Sequence, residues 1–97
     1  PDVVLLCSDD PERHIIEAPA IVAEILSPST ADRDRNAKLK LYEDNGVSYY
    51  LIVDVKNNLV TGFKRDNDKF CEMESGETMV FNVCGSCQLS ISIASIF

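Results

Sequence analysis

The sequence predicts a mixed α/β domain: a mixed sheet, one main helix and a C-terminal antiparallel meander. Two observations carry this. Two runs rich in aliphatic and β-branched residues, "APAIVAEILS" and "SYYLIVDV", flank the one long stretch of good helix formers, "TADRDRNAKLKLYEDN". Beyond them the chain breaks into short runs that alternate apolar and polar residues between Asp, Asn and Gly turns, the pattern of hairpin strands with one wet face. Strand, strand, helix, strand and then a meander is the order of a sheet that mixes parallel and antiparallel pairs.

The elements follow in turn. "DVVLLC", residues 2 to 7, is a β-branched run ended by the polar cluster "SDDPER", hence a strand and a loop. In "APAIVAEILS" both alternating faces are apolar, which predicts an interior strand covered on both sides, stopped by Ser27-Pro28. Ser29 with Asp32 three residues on fits a capping box, and Gly46 supplies the C-terminal stop of the helix between them. "SYYLIVDV", 48 to 55, is the next strand, and "KNN" turns the chain. "LVTGFKR", "KFCEME" and "TMVFNV" form the meander, and the tail "LSISIASIF" ends as a strand or a short helical turn. With one helix only, one face of the inner strands is expected to need cover from another segment or another chain.

The 97 residues make one domain, 1–97, with the balance of a globular chain: 45% hydrophobic and 26% charged. No apolar run approaches the roughly 20 residues that span a bilayer, and no basic-then-apolar leader opens the chain, so a cytoplasmic protein without membrane contact is expected. The chain opens at Pro1 without an initiator Met and runs almost at once into "VVLLC"; an N-terminal portion is therefore expected to be missing. A net charge of -7 argues against a general nucleic-acid coat. The one basic spot is Arg33, Arg35, Lys38 and Lys40, which could touch a phosphate backbone or simply be a solvated helix face. Of the four cysteines, Cys84 and Cys87 form a C-x-x-C, but Cys7 and Cys71 stand apart and His14 is the sole histidine. That is too little for structural zinc, and a Gly/Ser turn is the wrong setting for a thioredoxin-like motif. The cysteines are expected to serve as small hydrophobes and turn residues.

The chemistry rests on polar residues in apolar company. Glu24 sits mid-run in "IVAEILSPST", and a buried charge without a partner costs several kcal/mol. Asp2 opens the first strand. At 100° per residue Lys38 shares a stripe with Ala31, Leu41 and Tyr42, one turn after Asp34, which places it on the sheet-facing side, while Lys40 and Glu43 turn to solvent. Two carboxylates on neighbouring strands and an ammonium from the adjoining helix can hold Mg²⁺ or Mn²⁺ and stabilise an anion beside it, the parts that phosphodiester hydrolysis needs. The same residues also fit a plainer account: a frayed Asp2, Glu24 paired with a helix cation, and Asp34–Lys38 as an i,i+4 ion pair.

"PDVVLLC" and then "EAPAIVAEILSPSTADRDRNAKLKLYEDNGVSYYLIVD" resemble the Uma-two family of restriction endonuclease-like proteins, a branch of the PD-(D/E)XK nuclease superfamily. The resemblance spans nearly the whole chain and is strongest from 19 to 54. It implies a restriction-endonuclease-like fold and a metal-dependent endonuclease that hydrolyses DNA phosphodiester bonds. By its pattern Asp2 and Glu24 are metal ligands, with the backbone carbonyl of Ile25 as a third and Mg²⁺ or Mn²⁺ as the ion. The sequence departs from that pattern at Leu26, where the motif has lysine; the family tends to take its basic group from the next helix, and Lys38 stands at that position. Asp2, Glu24 and Lys38 are thus the expected catalytic residues, DNA the expected partner and a homo-oligomer the expected assembly. The expected truncation, together with Leu26, also admits a catalytically inactive nuclease-fold module acting in protein–protein interaction or dimerisation.

Overall fold

A computed structural model of the chain describes residues 3–6, 19–26, 31–74, 76–85 and 87–96, and for 31–36 the backbone alone. Parallel neighbouring strands need a crossover between them, and here the helix supplies it. Strand β2 (Ile21–Ile25) pairs in parallel with β3 (Tyr49–Asp54), with α1 (Ala31–Asp44) as the crossover. Around this βαβ unit every other pairing is antiparallel. Strand β1 (Val3–Leu5) flanks β2, while β4 (Leu59–Asp66) and β5 (Lys69–Glu72) extend the sheet beyond β3 in the order β1-β2-β3-β4-β5.

The meander does not continue that sheet. Strands β6 (Thr78–Val83) and β7 (Cys87–Ser92) form a separate two-stranded hairpin, followed by a 3₁₀ turn, Ile93–Ser95, so the tail is both strand and helical turn. The alternation of "TMVFNV" explains why: Met79, Phe81 and Val83 are buried and the residues between them exposed. The buried three join Ile21, Tyr49, Leu51, Val53 and Val60 in one apolar cluster. Phe81 meets the Tyr49 ring edge-on at 5.0 Å, and the Asn82 amide donates to the Tyr49 hydroxyl at 3.1 Å. Gly62 on β4 leaves room for this approach, since a Cβ there would collide with the Met79 terminal methyl and lie 3.2 Å from Leu51 Cδ2. The face expected to want cover is therefore covered by the chain's own hairpin.

Helix α1 covers the opposite face, where Val22, Tyr42, Val47, Tyr50 and Ile52 form a second buried cluster edged by Leu26, Leu39, Phe63 and Phe70. The helical stripe is rotated from the expected one. Leu39 packs inward while Leu41 is 53% exposed. At 100° per residue the stripe is then centred near Tyr42, and Lys38 stands at its edge. Glu43, expected in solvent, turns instead to β5, where its Oε2 accepts the Phe70 amide at 2.9 Å. Lys40 does face water, 3.6 Å from Asp44. The Ser29–Asp32 capping box lies outside the described residues.

The helix ends as a Schellman motif. Gly46 takes φ 78°, its amide donates to the Glu43 carbonyl at 3.3 Å, and the Val47 amide reaches back to the Tyr42 carbonyl at 3.1 Å. Arg65 from β4 completes the end. Its guanidinium lies 5.5 Å from the Phe70 ring centroid and donates to the carbonyls of Val47 at 2.9 Å, of Tyr42 at 3.4 Å and of Glu43. A cation there also meets the negative end of the helix dipole. Among the cysteines, Cys71 and Cys87 are free and exposed. Cys84 is joined in a disulfide, contrary to a bare turn role, and since Cys87 is free the C-x-x-C is not bonded to itself.

Charge-assisted hydrogen bonds contribute about 1.5–3 kcal/mol each, and several go to this one side chain, so Arg65→Met should lower unfolding free energy by about 2 kcal/mol or more in chemical denaturation. Arg65→Lys should recover less than half of the loss, because an ammonium cannot reproduce the planar fork.

Candidate active site

Strand alternation decides what Glu24 faces. Val22, Glu24 and Leu26 point to the helix side of β2, and Ile21, Ala23 and Ile25 to the hairpin side or outward. Glu24 pairs in register with Ile52, an apolar residue in the middle of β3, and is 6% exposed, the one buried charged residue among those described. A carboxylate in that position needs compensation, and the helix supplies it. Lys38 Nζ donates to Oε2 at 3.1 Å, and the Tyr42 hydroxyl donates to Oε1 at 2.6 Å. Lys38 and Tyr42 are one helical turn apart on the inward stripe, so the helix lays both donors over a single strand residue.

The two donors differ in environment. The Lys38 side chain is 38% exposed, whereas Tyr42 is buried with its ring 5.0 Å from that of Tyr50. Burial raises the pKa of the Glu24 carboxyl, but the Tyr42 hydroxyl and the Lys38 ammonium outweigh it, and the net shift is downward. Glu24 is thus held ionised inside an apolar layer.

The other expected site residues fare differently. Ile25 follows Glu24 with its side chain on the opposite face, 51% exposed. Asp2 lies outside the described residues; it directly precedes Val3, which pairs with Ala23, the residue before Glu24. The side chains of Asp34, Arg33 and Arg35 are likewise outside them, so of the basic spot only Lys38 and Lys40 are seen, each beside a carboxylate. Asp54, at the end of β3 on the Glu24 face, closes the β3–β4 turn by accepting from the Asn57 amide at 3.2 Å and from Asn57 Nδ2 at 2.8 Å. Tyr42 was visible in the sequence as part of the Lys38 stripe, but no role followed from it. The missed signal was a hydroxyl at a buried helix position opposite a lone acid, since buried tyrosine hydroxyls seek acceptors.

Whether these residues suit a divalent cation is a question of donor chemistry. A carboxylate is a donor of the kind hard cations prefer, and both oxygens of Glu24 already accept donors from α1. Among the described residues no three His, Cys, Asp or Glu side chains gather closely enough to hold an ion. Glu24 therefore suits such an ion in kind, without further acidic, His or Cys ligands gathered beside it among the described residues. No helix among the described residues is long and apolar enough to cross a membrane.

A family model described as "Putative restriction endonuclease", Uma2, matches residues 1–93. No curated protein matches the chain.

The pH dependence of stability follows from the lowered Glu24 pKa. The folded-state value lies below the ordinary 4.5, so the stabilisation is fully present above that pH and is lost as pH falls through the depressed value. Between about pH 6 and about pH 3 the wild type should lose more unfolding free energy than Glu24→Gln, whose amide does not titrate. Parallel pH profiles of urea denaturation for the two proteins would contradict this.

Proposed function

Because the chain belongs to the Uma2 family of restriction endonuclease-like proteins, we propose that it is a nuclease-fold domain, residues 1–97, that hydrolyses DNA phosphodiester bonds with the aid of Mg²⁺ or Mn²⁺. The observation that carries the reading is the buried, ionised Glu24 with Lys38 delivered to it from α1. Asp2 and Glu24 are the proposed carboxylate ligands, with the Ile25 carbonyl as a third. Asp2 directly precedes Val3 in the chain, and Val3 pairs with Ala23, the residue before Glu24.

The departure at position 26 has a geometric rationale. Leu26 lies on the same face of β2 as Glu24 and packs into the helix-side cluster. A lysine there and a lysine from α1 would both approach the carboxylate from the helix side, and Lys38 does so at 3.1 Å. Its ammonium is partly open to solvent, which lets it serve a phosphate as well as the carboxylate.

When bound, a divalent cation would polarise the phosphoryl group and render the attacking water more acidic. The chain's own contributions are then distinct. Glu24 presents fixed negative charge in a layer that excludes bulk water on the sheet side. Lys38 neutralises charge that develops on the phosphate oxygens, an interaction stronger in the transition state than in the ground state.

A second reading keeps the fold without the chemistry: a module for protein–protein interaction or self-association. Leu26 in the lysine position and the engagement of both Glu24 oxygens within the chain favour it, since an ion pair closed upon itself also explains a buried carboxylate.

Plasmid nicking with Mn²⁺ or Mg²⁺, against a chelator control, separates the two. On the nuclease reading Glu24→Gln should lose at least about 100-fold in rate while remaining folded by circular dichroism. Metal-dependent cleavage of undiminished rate in Glu24→Gln would remove Glu24 from the mechanism, and absence of cleavage in the wild type would favour the interaction module.

A further inference from the structure

Of the chain's six asparagines, Asn45 alone is followed by glycine. The side-chain amide of an asparagine is an electrophile for the backbone nitrogen of the next residue, and glycine, with no Cβ, lets that nitrogen approach at the least steric cost. Asn45 and Gly46 are both exposed, so water reaches the pair. Yet the folded end of α1 engages both reacting groups elsewhere. Asn45 Nδ2 donates back to the Leu41 carbonyl at 2.7 Å, which carries the side chain over the preceding turn rather than toward the following nitrogen. The Gly46 amide donates to the Glu43 carbonyl at 3.3 Å, a bond that retains the proton which must leave before the nitrogen can attack.

We infer that Asn45–Gly46 is a site of spontaneous deamidation gated by Arg65, whose hold on the end of α1 keeps this turn closed. In the reaction the Gly46 nitrogen, its proton lost to water, bonds to Asn45 Cγ; the Cγ–Nδ2 bond breaks, ammonia leaves and a succinimide ring closes. Water then opens the ring at either carbonyl and leaves an aspartyl or isoaspartyl residue at position 45. Water is consumed and ammonia released, so no oxidant or reductant takes part. Arg65 matters because it is anchored outside the helix. From β4 it donates to the Glu43 carbonyl, the same oxygen that takes the Gly46 amide, and to the carbonyls of Tyr42 at 3.4 Å and Val47 at 2.9 Å on either side. Terminal turns open locally at a lower free energy than the domain unfolds, and here opening must break contacts to the sheet as well as within the helix. The product resists reclosure: its new carboxylate stands at the negative end of the helix dipole beside Asp44, and the donor to the Leu41 carbonyl is gone.

The test follows conversion at position 45 by peptide mapping and mass spectrometry, with aspartyl and isoaspartyl products separated by chromatography, during incubation at mildly alkaline pH. The wild type is measured native and in guanidinium, and Arg65→Met, Arg65→Lys and Met79→Ala are measured native, each checked for folding by circular dichroism. Met79→Ala weakens the hairpin packing on the face of the sheet opposite α1 and controls for general destabilisation. The native wild type should convert at least about tenfold more slowly than the denatured chain. Arg65→Met should convert at least about fivefold faster than the native wild type, as loss of a charge-assisted hydrogen bond from the closed turn would give, while Met79→Ala should stay within about twofold of it. Arg65→Lys, which keeps the charge without the planar fork, should fall between Arg65→Met and the wild type. No conversion in the denatured chain would remove the site, and equal rates in the native and denatured wild type would remove the gate. Arg65 variants no faster than the wild type, or Met79→Ala as fast as Arg65→Met, would overturn the part given to Arg65.

Discussion

A charged carboxylate in the apolar layer between a sheet and a helix is the constraint around which this domain is arranged. Glu24 lies opposite Ile52 and beside Val22 and Leu26, none of which can compensate a charge. The cost of burying it unpaired, several kcal/mol, is comparable with the whole stability of a small domain. The Lys38 ammonium and the Tyr42 hydroxyl that donate to it come from one helix. The helix must therefore sit at one rotation and one height over β2, because a slip of one residue would carry both donors off the carboxylate by 100°.

The far end of the helix is held to the same precision by unrelated means. Gly46 in the left-handed region reverses the chain, Val47 returns to the Tyr42 carbonyl, and Arg65 spans from β4 to the last carbonyls of α1. These contacts meet at Tyr42, whose backbone belongs to the helix end and whose hydroxyl belongs to Glu24. One residue thus ties the termination of α1 to the orientation of the carboxylate. On the other side of the sheet the hairpin packs through Phe81 and Met79. That sets most of β2 between helix and hairpin, with Ile25 at its end exposed.

Much of this was legible in the sequence, for physical reasons that differ between elements. The strands announced themselves through period-two patterns and β-branched composition, and each run expected as a strand contains one, from "VVL" to "TMVFNV". Gly46 marked the helix end because only a residue without a Cβ adopts its φ at no steric cost. The hairpin's separation from the sheet was not legible. Alternation in "TMVFNV" states that one face is buried, not which surface it is buried against, and the notch at Gly62 that admits Met79 exists only once β3 and β4 are paired. The inward rotation that buries Leu39 and exposes Leu41 was hidden for a related reason: two leucines two residues apart cannot both lie on one stripe, and the choice between them was made by Glu24 attracting Lys38 and Tyr42. Arg65 gave little local signal, since its partners at the helix end are about twenty residues away in sequence and are backbone carbonyls.

The source of the ammonium has a consequence of its own. A lysine two residues beyond the glutamate on the same strand would be fixed to the sheet and confined to one side of the carboxylate. A lysine from the edge of a facing helix sits where the apolar layer meets water, with its stem across the layer and its charge at the boundary. Tyr42 reaches the same carboxylate from inside the layer, its ring buried against Tyr50. The helix thus compensates Glu24 with one partly solvated cation and one buried hydroxyl, so that the ammonium is not itself taken fully out of water.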